Sequence, residues 1–448
     1  MKYDVIVIGS GWGGFNAAFH AARHGLSAAL IEKDILGGTC LNYGCIPTKI
    51  LVTSAGHFYD IKHSSEFGID IDSAKINFEK INIRKEAIIA RLRQGIGSII
   101  RAKKINLIYG DAKLVDSAHV SVKGEILEAK NIVIASGSRP RSLPNLKFDG
   151  VHILSSTDLL NLKSIPKSLL IIGGGVIGCE FANIYAELGA KVTITEILER
   201  ILITEDKEVS VKMQMVFKKK GVDVFTGKDF NTLDLKQFEK VLLCVGRAAN
   251  VEGLGLDEAQ VKCDKGRISV DEYLRTNIAN IYAVGDCNGS LQLAHVAAYQ
   301  GRLAIENILG KDIKCDLSVV PGCIFTNPEI ASVGLTEEKA RQAGYGVKTA
   351  KFSYLGLGMA HVKGQSDGFV KITVNSQNEE ILGAVIFGLG ATELISSLGL
   401  AVKNKLTVSN IRQTIFAHPT LSESIYEAID GFCATYPVRD SPETSGRL

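Results

Sequence analysis

A chain of 448 residues exceeds what one hydrophobic core can organise, and 46% hydrophobic with 22% charged residues is ordinary globular composition, so about two to four soluble domains are expected. A net charge of +3 excludes a polyanionic partner such as nucleic acid, and no apolar run is long enough to span a membrane. Nine scattered cysteines, an odd count, exclude a secreted disulfide scaffold and fit a reducing cytoplasm. From the N-terminus, Tyr3 to Ile8 predicts a strand, which leaves no room for a signal peptide. Gly9-Ser10-Gly11-Trp12-Gly13-Gly14 predicts a tight turn, followed by an alanine-rich helix to about His24 and a strand from Ser27 to Glu32. A cysteine-bearing segment follows, from Gly37 through Cys40 and Cys45 to Lys49. Gly95 to Lys104 predicts a helix, Ile105 to Tyr109 a strand, and Asn131 to Ser138 a buried strand entering a turn at Gly137. At Ser168 the pattern restarts: a strand to Ile172, the turn Gly173-Gly174-Gly175-Val176-Ile177-Gly178, an amphipathic helix to Leu188, and a strand from Lys191 to Glu196. Lys218-Lys219-Lys220 reads as a solvated helix end, and Ile281 to Asp286 as a strand and turn. From about Pro321 strands alternate with helices and no third phosphate loop occurs.

The fold class is therefore α/β, with two Rossmann-like modules and a C-terminal α+β domain. Glycines spaced GxGxxG between a strand and a helix allow a tight turn, close approach of a pyrophosphate, and close helix–strand packing. The helix N-terminus then stabilises the phosphate charge. One such string is a weak signal. Here both copies, Gly9, Gly11, Gly14 and Gly173, Gly175, Gly178, have the flanking strand and helix, and both following strands end on an acid, Glu32 and Glu196. A carboxylate there accepts hydrogen bonds from ribose hydroxyls and repels a 2′-phosphate. Glu196 thus favours NAD over NADP, with Arg200 nearby as a weak counter-argument.

Cys40 and Cys45 are five residues apart. On a regular helix that separates their Cα atoms by roughly 8.6 Å, whereas a disulfide needs about 4.4–6.8 Å. The pair can bridge only across a distorted helix start. Gly44 permits unusual backbone angles, and Pro47 suits a first helical turn. Taken alone, a CxxxxC string reads as two unrelated core cysteines; the flanking glycines and the neighbouring nucleotide signature reverse that reading. A thiol pair beside two dinucleotide sites suggests a relay, and a flavin joins nicotinamide to sulfur because it accepts a hydride and also reacts with thiols. FAD is assigned on this ground. The other cysteines, Cys179, Cys244, Cys263, Cys287, Cys315, Cys323 and Cys433, read as small buried hydrophobes or idle thiols.

The segment Gly37 to Lys49, Ala283-Val284-Gly285-Asp286, and His418-Pro419-Thr420-Leu421-Ser422-Glu423 resemble the pyridine nucleotide–disulfide oxidoreductases. The similarity covers nearly the whole chain in the family's order. It is strongest to the branch that oxidises dihydrolipoamide with NAD⁺, the E3 component of 2-oxo acid dehydrogenase complexes. The resemblance implies FAD at Gly9, Gly11, Gly14 and Glu32, with Gly137 and Asp286 also on the flavin side. It implies NAD at Gly173, Gly175, Gly178, Glu196 and Gly246. It places Lys49 near the flavin, paired with Glu180, and makes Cys40 and Cys45 the redox disulfide, Cys40 for exchange and Cys45 facing the flavin. His418 becomes the base and Glu423 its orienting carboxylate; without the resemblance, their spacing equally fits a capped helix start. No metal is implied.

By the same resemblance, residues 1–145 bind FAD, 146–265 bind NAD, 266–320 complete the FAD domain, and 321–448 form the interface of a homodimer in which His418 and Glu423 serve the partner's disulfide. The partners implied are lipoyl domains of a 2-oxo acid dehydrogenase or glycine cleavage complex. Phe19 stands where glutathione-directed members carry an arginine, Leu421 matches the lipoamide branch, and Cys433 is not the vicinal pair of mercuric reductases. His295 begins a helix that in relatives points at the flavin. The family pattern is broken by a short segment from Phe225 to Lys240 and by Val245-Gly246-Arg247-Ala248-Ala249-Asn250, which lacks the usual proline; neither is expected to touch a chemical residue. A diaphorase-like or metal- or quinone-directed flavin reductase, and a non-catalytic FAD-bound scaffold, stay open as alternatives.

Overall fold

The computed structural model describes residues 2–432; Cys433 lies outside them. Two compact units form, one from residues up to 203 with 211–317, the other from 204–210 with the residues from 318 onward.

In the first unit, strand Lys2–Ile8 is central because Val5, Ile6 and Val7 are wholly buried. A continuous apolar run of this kind marks a parallel strand covered on both faces, and each such side chain contributes roughly 1.5–3 kcal/mol on burial. It pairs in parallel with Ala28–Glu32 on one side and Glu125–Ile134 on the other, and Asn106–Tyr109 extends the sheet beyond Ala28–Glu32. The ten-residue strand Glu125–Ile134 is shared. Its first half pairs antiparallel with His119–Val122 and its last three residues pair parallel with Ile281–Ala283. A strand from late in the sequence thereby joins the first sheet. Helix α1 (Trp12–Arg23) lies against helix Ala294–Ile308. The approach is backbone to backbone, since a Cβ on Gly301 would stand 2.2 Å from the Gly13 carbonyl oxygen. His20 Nε2 and Glu306 Oε1 lie 2.6 Å apart across this seam, and Lys311 holds the other Glu306 oxygen at 2.5 Å.

The second module repeats the design. Strands Asp223–Thr226, Lys191–Glu196, Ser168–Ile172, Lys240–Leu243 and Ile153–Leu154 lie side by side, all parallel. Helix Val176–Glu187 was read as amphipathic, but it is buried from Gly178 to Glu187 except at Ala186 and so is enclosed on most sides. The short segment after Phe225 makes two single 3₁₀ turns, Phe230–Thr232 and Leu235–Gln237. The lysine run also departs from expectation. Lys218 and Lys219 are exposed, but Lys220 turns inward to Glu187 Oε1 at 2.7 Å and Asn183 Oδ1 at 2.8 Å. A buried carboxylate needs a charged partner, and Glu187 recruits the nearest one.

The second unit is an antiparallel five-stranded sheet, in the order Gly322–Ile324, Ile330–Gly334, Ile381–Phe387, Phe369–Asn375, Val347–Ser353. Helices Ala391–Lys403 and Glu423–Asp430 pack on it. Among the described residues no helix is long and apolar enough to cross a membrane.

Candidate active site

The two glycine turns are built alike. The first glycine of each has a left-handed φ, +100° at Gly9 and +115° at Gly173. A Cβ on the last glycine would sit 1.8 Å from the Gly9 oxygen at Gly14 and 2.0 Å from the Gly173 oxygen at Gly178. Helix and strand thus meet without room for a side chain. The middle glycines differ: a Cβ on Gly11 meets nothing closer than the Gly38 Cα at 4.0 Å, and one on Gly175 meets nothing. That space faces the N-termini of α1 and of helix Val176–Glu187, neither of which has a side-chain cap. Gly178→Ala is therefore expected to unfold the second module, whereas Gly175→Ala keeps the wild-type melting temperature and raises the KM for NADH about tenfold or more. Thermal melts beside NADH titrations separate the two outcomes.

Each turn is tied to its acid. Glu32 Oε2 accepts from the Ser10 amide at 2.9 Å and hydroxyl at 2.6 Å, and its Oε1 accepts from the Asp34 amide at 2.9 Å. Glu196 Oε2 accepts from the Gly174 amide at 2.6 Å and Oε1 from the Leu198 amide at 2.8 Å. Arg200 turns away from this carboxylate to donate to the Ile203 carbonyl at 3.1 Å.

The cysteine segment forms two helices, not one: α2 (Gly38–Tyr43) and α3 (Cys45–Lys62), broken at Gly44 with φ −145° and ψ −109°. The break brings the sulfurs of Cys40 and Cys45, both free thiols, into hydrogen-bond contact. Cys45 is the first residue of an 18-residue helix, where the helix dipole favours a thiolate. The hydrogen bond from Cys40 and the Lys49 charge bring its thiol down to about 7, against desolvation. The same contact and desolvation push the Cys40 thiol up, while the Trp12 indole N–H, 3.0 Å from the sulfur, acts in the opposite direction. Lys49, one turn into α3, donates to both oxygens of Glu180 at 3.0 and 2.9 Å. Glu180 is 4% exposed, so removing Lys49 would break an ion pair at a buried carboxylate at a cost of about 3–5 kcal/mol. Because the Cys45 thiol lies below its ordinary value, its charge persists above about pH 7 and is lost as the pH falls through that value. Iodoacetamide labelling of Cys45 in the reduced protein should follow this titration, with slow labelling on the acid side.

A short ribbon gathers a third group. Strands Ser138–Pro140 and Arg247–Ala249 pair antiparallel, with Gly137 (φ +72°) and Gly246 (φ +111°) just before them. The Ser138 hydroxyl donates to Asp286. Arg247 donates to the Ser138 hydroxyl and carbonyl, each at 2.7 Å, and stands 4.0 Å from Asp286. The segment around Arg247 was expected to touch no chemical residue; the ribbon places its guanidinium 4.0 Å from Asp286, a residue the resemblance puts on the flavin side.

In the second unit, His418 Nδ1 lies 2.7 Å from Glu423 Oε1, and the Thr420 amide donates to Glu423 Oε2 at 2.8 Å. These two bonds hold the Glu423 carboxyl below the usual range. The Glu423 carboxylate fixes the Nδ1–H tautomer and leaves Nε2 as a proton acceptor. The His418 side chain is 79% exposed.

Residues 3–301 match the model of the pyridine nucleotide-disulphide oxidoreductases, and residues 320–429 match the dimerisation domain of the same family. The chain belongs to this family. It is 40% identical over 461 residues to a Bacillus subtilis (strain 168) member named dihydrolipoyl dehydrogenase, covering 95% of this chain and 97% of that one. A Chlamydia muridarum member of the same name is 42% identical over 440 residues, covering 94% and 95%. Among solved structures, LpdA from Mycobacterium tuberculosis superposes with a TM-score of 0.89 at 30% identity, covering 96% and 100%. The HOCl-induced flavoprotein disulfide reductase RclA from Escherichia coli gives 0.86 at 28%, covering 96% and 99%.

FAD and NAD are the cofactors of the family, and the two turns fit them: space beside the middle glycine, uncapped helix N–H groups, and a carboxylate at the next strand end. Phe19 lies on α1, stacked on Phe15 at 6.0 Å, and offers no charge of its own for a peptide carboxylate. His295 lies in the first turn of helix Ala294–Ile308. Three residues at the site were not anticipated from sequence. Ser138 and Arg247 carry no local signal, because long-range pairing assembles their ribbon. Trp12 carried one, as the only tryptophan of the chain, placed on the first turn of the phosphate helix.

Proposed function

We propose that this protein is a dihydrolipoyl dehydrogenase, oxidising protein-bound dihydrolipoamide and reducing NAD⁺. One observation carries the reading: Cys45 starts α3 beside Lys49, in sulfur contact with Cys40 across the Gly44 break. In this reading His418 Nε2 takes a proton from a substrate thiol, and Glu423 steadies the resulting imidazolium through Nδ1. The substrate thiolate attacks Cys40. Cys45 leaves as a thiolate, held by the N-terminus of α3 and by the ammonium of Lys49, which both Glu180 oxygens hold in place. When bound, FAD would supply two-electron chemistry between the dithiol and NAD⁺.

Gly9, Gly11, Gly14 and Glu32 hold the FAD pyrophosphate and ribose in this scheme, with Gly137 and Asp286 on the flavin side. Gly173, Gly175, Gly178, Glu196 and Gly246 hold NAD. Residues 1–145 and 266–320 form the FAD domain, 146–265 the NAD domain, and 321–448 the dimer interface. The protein is a cytoplasmic homodimer in which His418 and Glu423 act on the disulfide of the other subunit, and its partners are lipoyl domains of a 2-oxo acid dehydrogenase or glycine cleavage complex.

A second reading, a flavin reductase directed at a metal or quinone, is favoured by the likeness to RclA, one of whose structures is a Cu(II) complex. The His418–Glu423 pair weighs against it, because such acceptors need no base for a thiol. Steady-state rates with dihydrolipoamide and NAD⁺, set against rates with quinones, decide. Dihydrolipoamide is expected to be the better substrate, and inertness toward it would overturn the first reading.

A further inference from the structure

The interchange sulfur has a neighbour that its chemistry has not used. Trp12 is the first residue of α1, directly after the phosphate turn. Its indole N–H points at Cys40 Sγ across 3.0 Å. The placement is imposed from two sides. Gly38, which opens α2, lies so close to the turn that a Cβ there would stand 2.6 Å from the Gly11 Cα. The segments carrying Trp12 and Cys40 are therefore pinned backbone to backbone. On its other side the indole meets Phe15 edge to face at 6.3 Å, and Phe15 stacks on Phe19. Asn16 Nδ2 donates to the Trp12 carbonyl at 2.8 Å. Trp12 is 37% exposed, so the residue that touches the sulfur is itself open to solvent.

We propose that Trp12 is a catalytic residue of the disulfide exchange: its indole N–H steadies the negative charge on Cys40 while that sulfur is expelled from, or attacks, a substrate disulfide. The inference rests on reading Cys40 as the sulfur that substrate attacks. In the forward direction the first substrate thiolate forms a bond to Cys40 and breaks the Cys40–Cys45 bond. The second substrate sulfur then closes the substrate disulfide and releases Cys40. Two electrons pass from the substrate dithiol to the cysteine pair; one proton ends on His418, one on Cys40, and Cys45 carries the charge. Cys45 has the α3 N-terminus and Lys49 to hold its charge. Cys40 sits in the first turn of the six-residue α2 and feels the Lys49 charge only through space, and the Trp12 N–H is the hydrogen-bond donor aimed at its sulfur apart from Cys45 itself. A donor to sulfur favours the thiolate over the thiol.

The test uses holoenzyme reduced with dithiothreitol and desalted anaerobically. Alkylation of Cys40 by iodoacetamide is followed across pH, with the site located by fragment-ion mass spectrometry. Trp12→Phe keeps a ring and removes the donor. The expected result is Cys40 labelling about tenfold slower near neutrality, one pKa unit, with the same plateau at high pH. Superimposable profiles would overturn the proposal. Should the variant fail to retain flavin, the wild type decides: as the only tryptophan, Trp12 should change its emission with the midpoint of Cys40 labelling, and flat emission through that midpoint would overturn the role. If wild-type protein is inert toward dihydrolipoamide while the labelling profile shifts, the Cys40–Trp12 assignment stands and the substrate reading falls.

Discussion

Cys45→Ser abolishes lipoamide reduction by NADH to background while leaving a folded, flavin-loaded protein. The side chain is exposed at the start of α3 and takes no part in a core, so its loss costs little stability. Its chemical loss is complete, because a hydroxyl neither forms a sulfur–sulfur bond nor carries charge at neutral pH. Two signals accompany the lost turnover. The long-wavelength absorbance that a Cys45 thiolate gives against bound flavin disappears. Cys40 also labels faster near neutrality, because the contact with Cys45 is the largest influence holding its thiol up. Persistence of the absorbance would move the charge to Cys40 and exchange the two roles.

His418→Gln lowers lipoamide turnover by roughly 10²–10⁴-fold and leaves flavin reduction by NADH untouched. The amide fills the space of the imidazole but accepts no proton in the pH range of the reaction. With 79% of the His418 side chain exposed, stability changes little, so melting temperature serves as the control. Rapid mixing of NADH-reduced protein with lipoamide isolates the affected half. Turnover within a few-fold of wild type would remove His418 from the mechanism.

Much of this architecture was legible from short-range pattern. The strand–glycine–helix strings with their terminal acids, Glu32 and Glu196, describe units whose parts are close in sequence, so local sterics carry the information. The need for a distorted helix start between Cys40 and Cys45 followed from helix geometry alone, and Gly44 supplies the break. The spacing of His418 and Glu423 left a capped helix start as open as catalysis; Glu423 does begin helix Glu423–Asp430, without a side-chain cap, and it also bonds His418. What stayed hidden depends on residues far apart in the chain. Arg247 reaches Ser138 and Asp286 only because a three-residue ribbon pairs segments 109 residues apart. Lys220 turns inward because of Glu187, 33 residues away. Composition marks neither, since a lysine run is usually solvated and an isolated arginine has no pattern.

The carboxylates that end the two second strands have a double duty. In the proposed function Glu196 meets a ribose, and in the structure it fastens the amides of Gly174 and Leu198; Glu32 likewise fastens Ser10 and Asp34. Coenzyme choice and loop rigidity thus share one side chain. Retargeting the second module toward a 2′-phosphorylated coenzyme by replacing Glu196 would slacken the strand-to-helix turn proposed to grip the diphosphate, so a successful redesign must first supply those two amides with another acceptor.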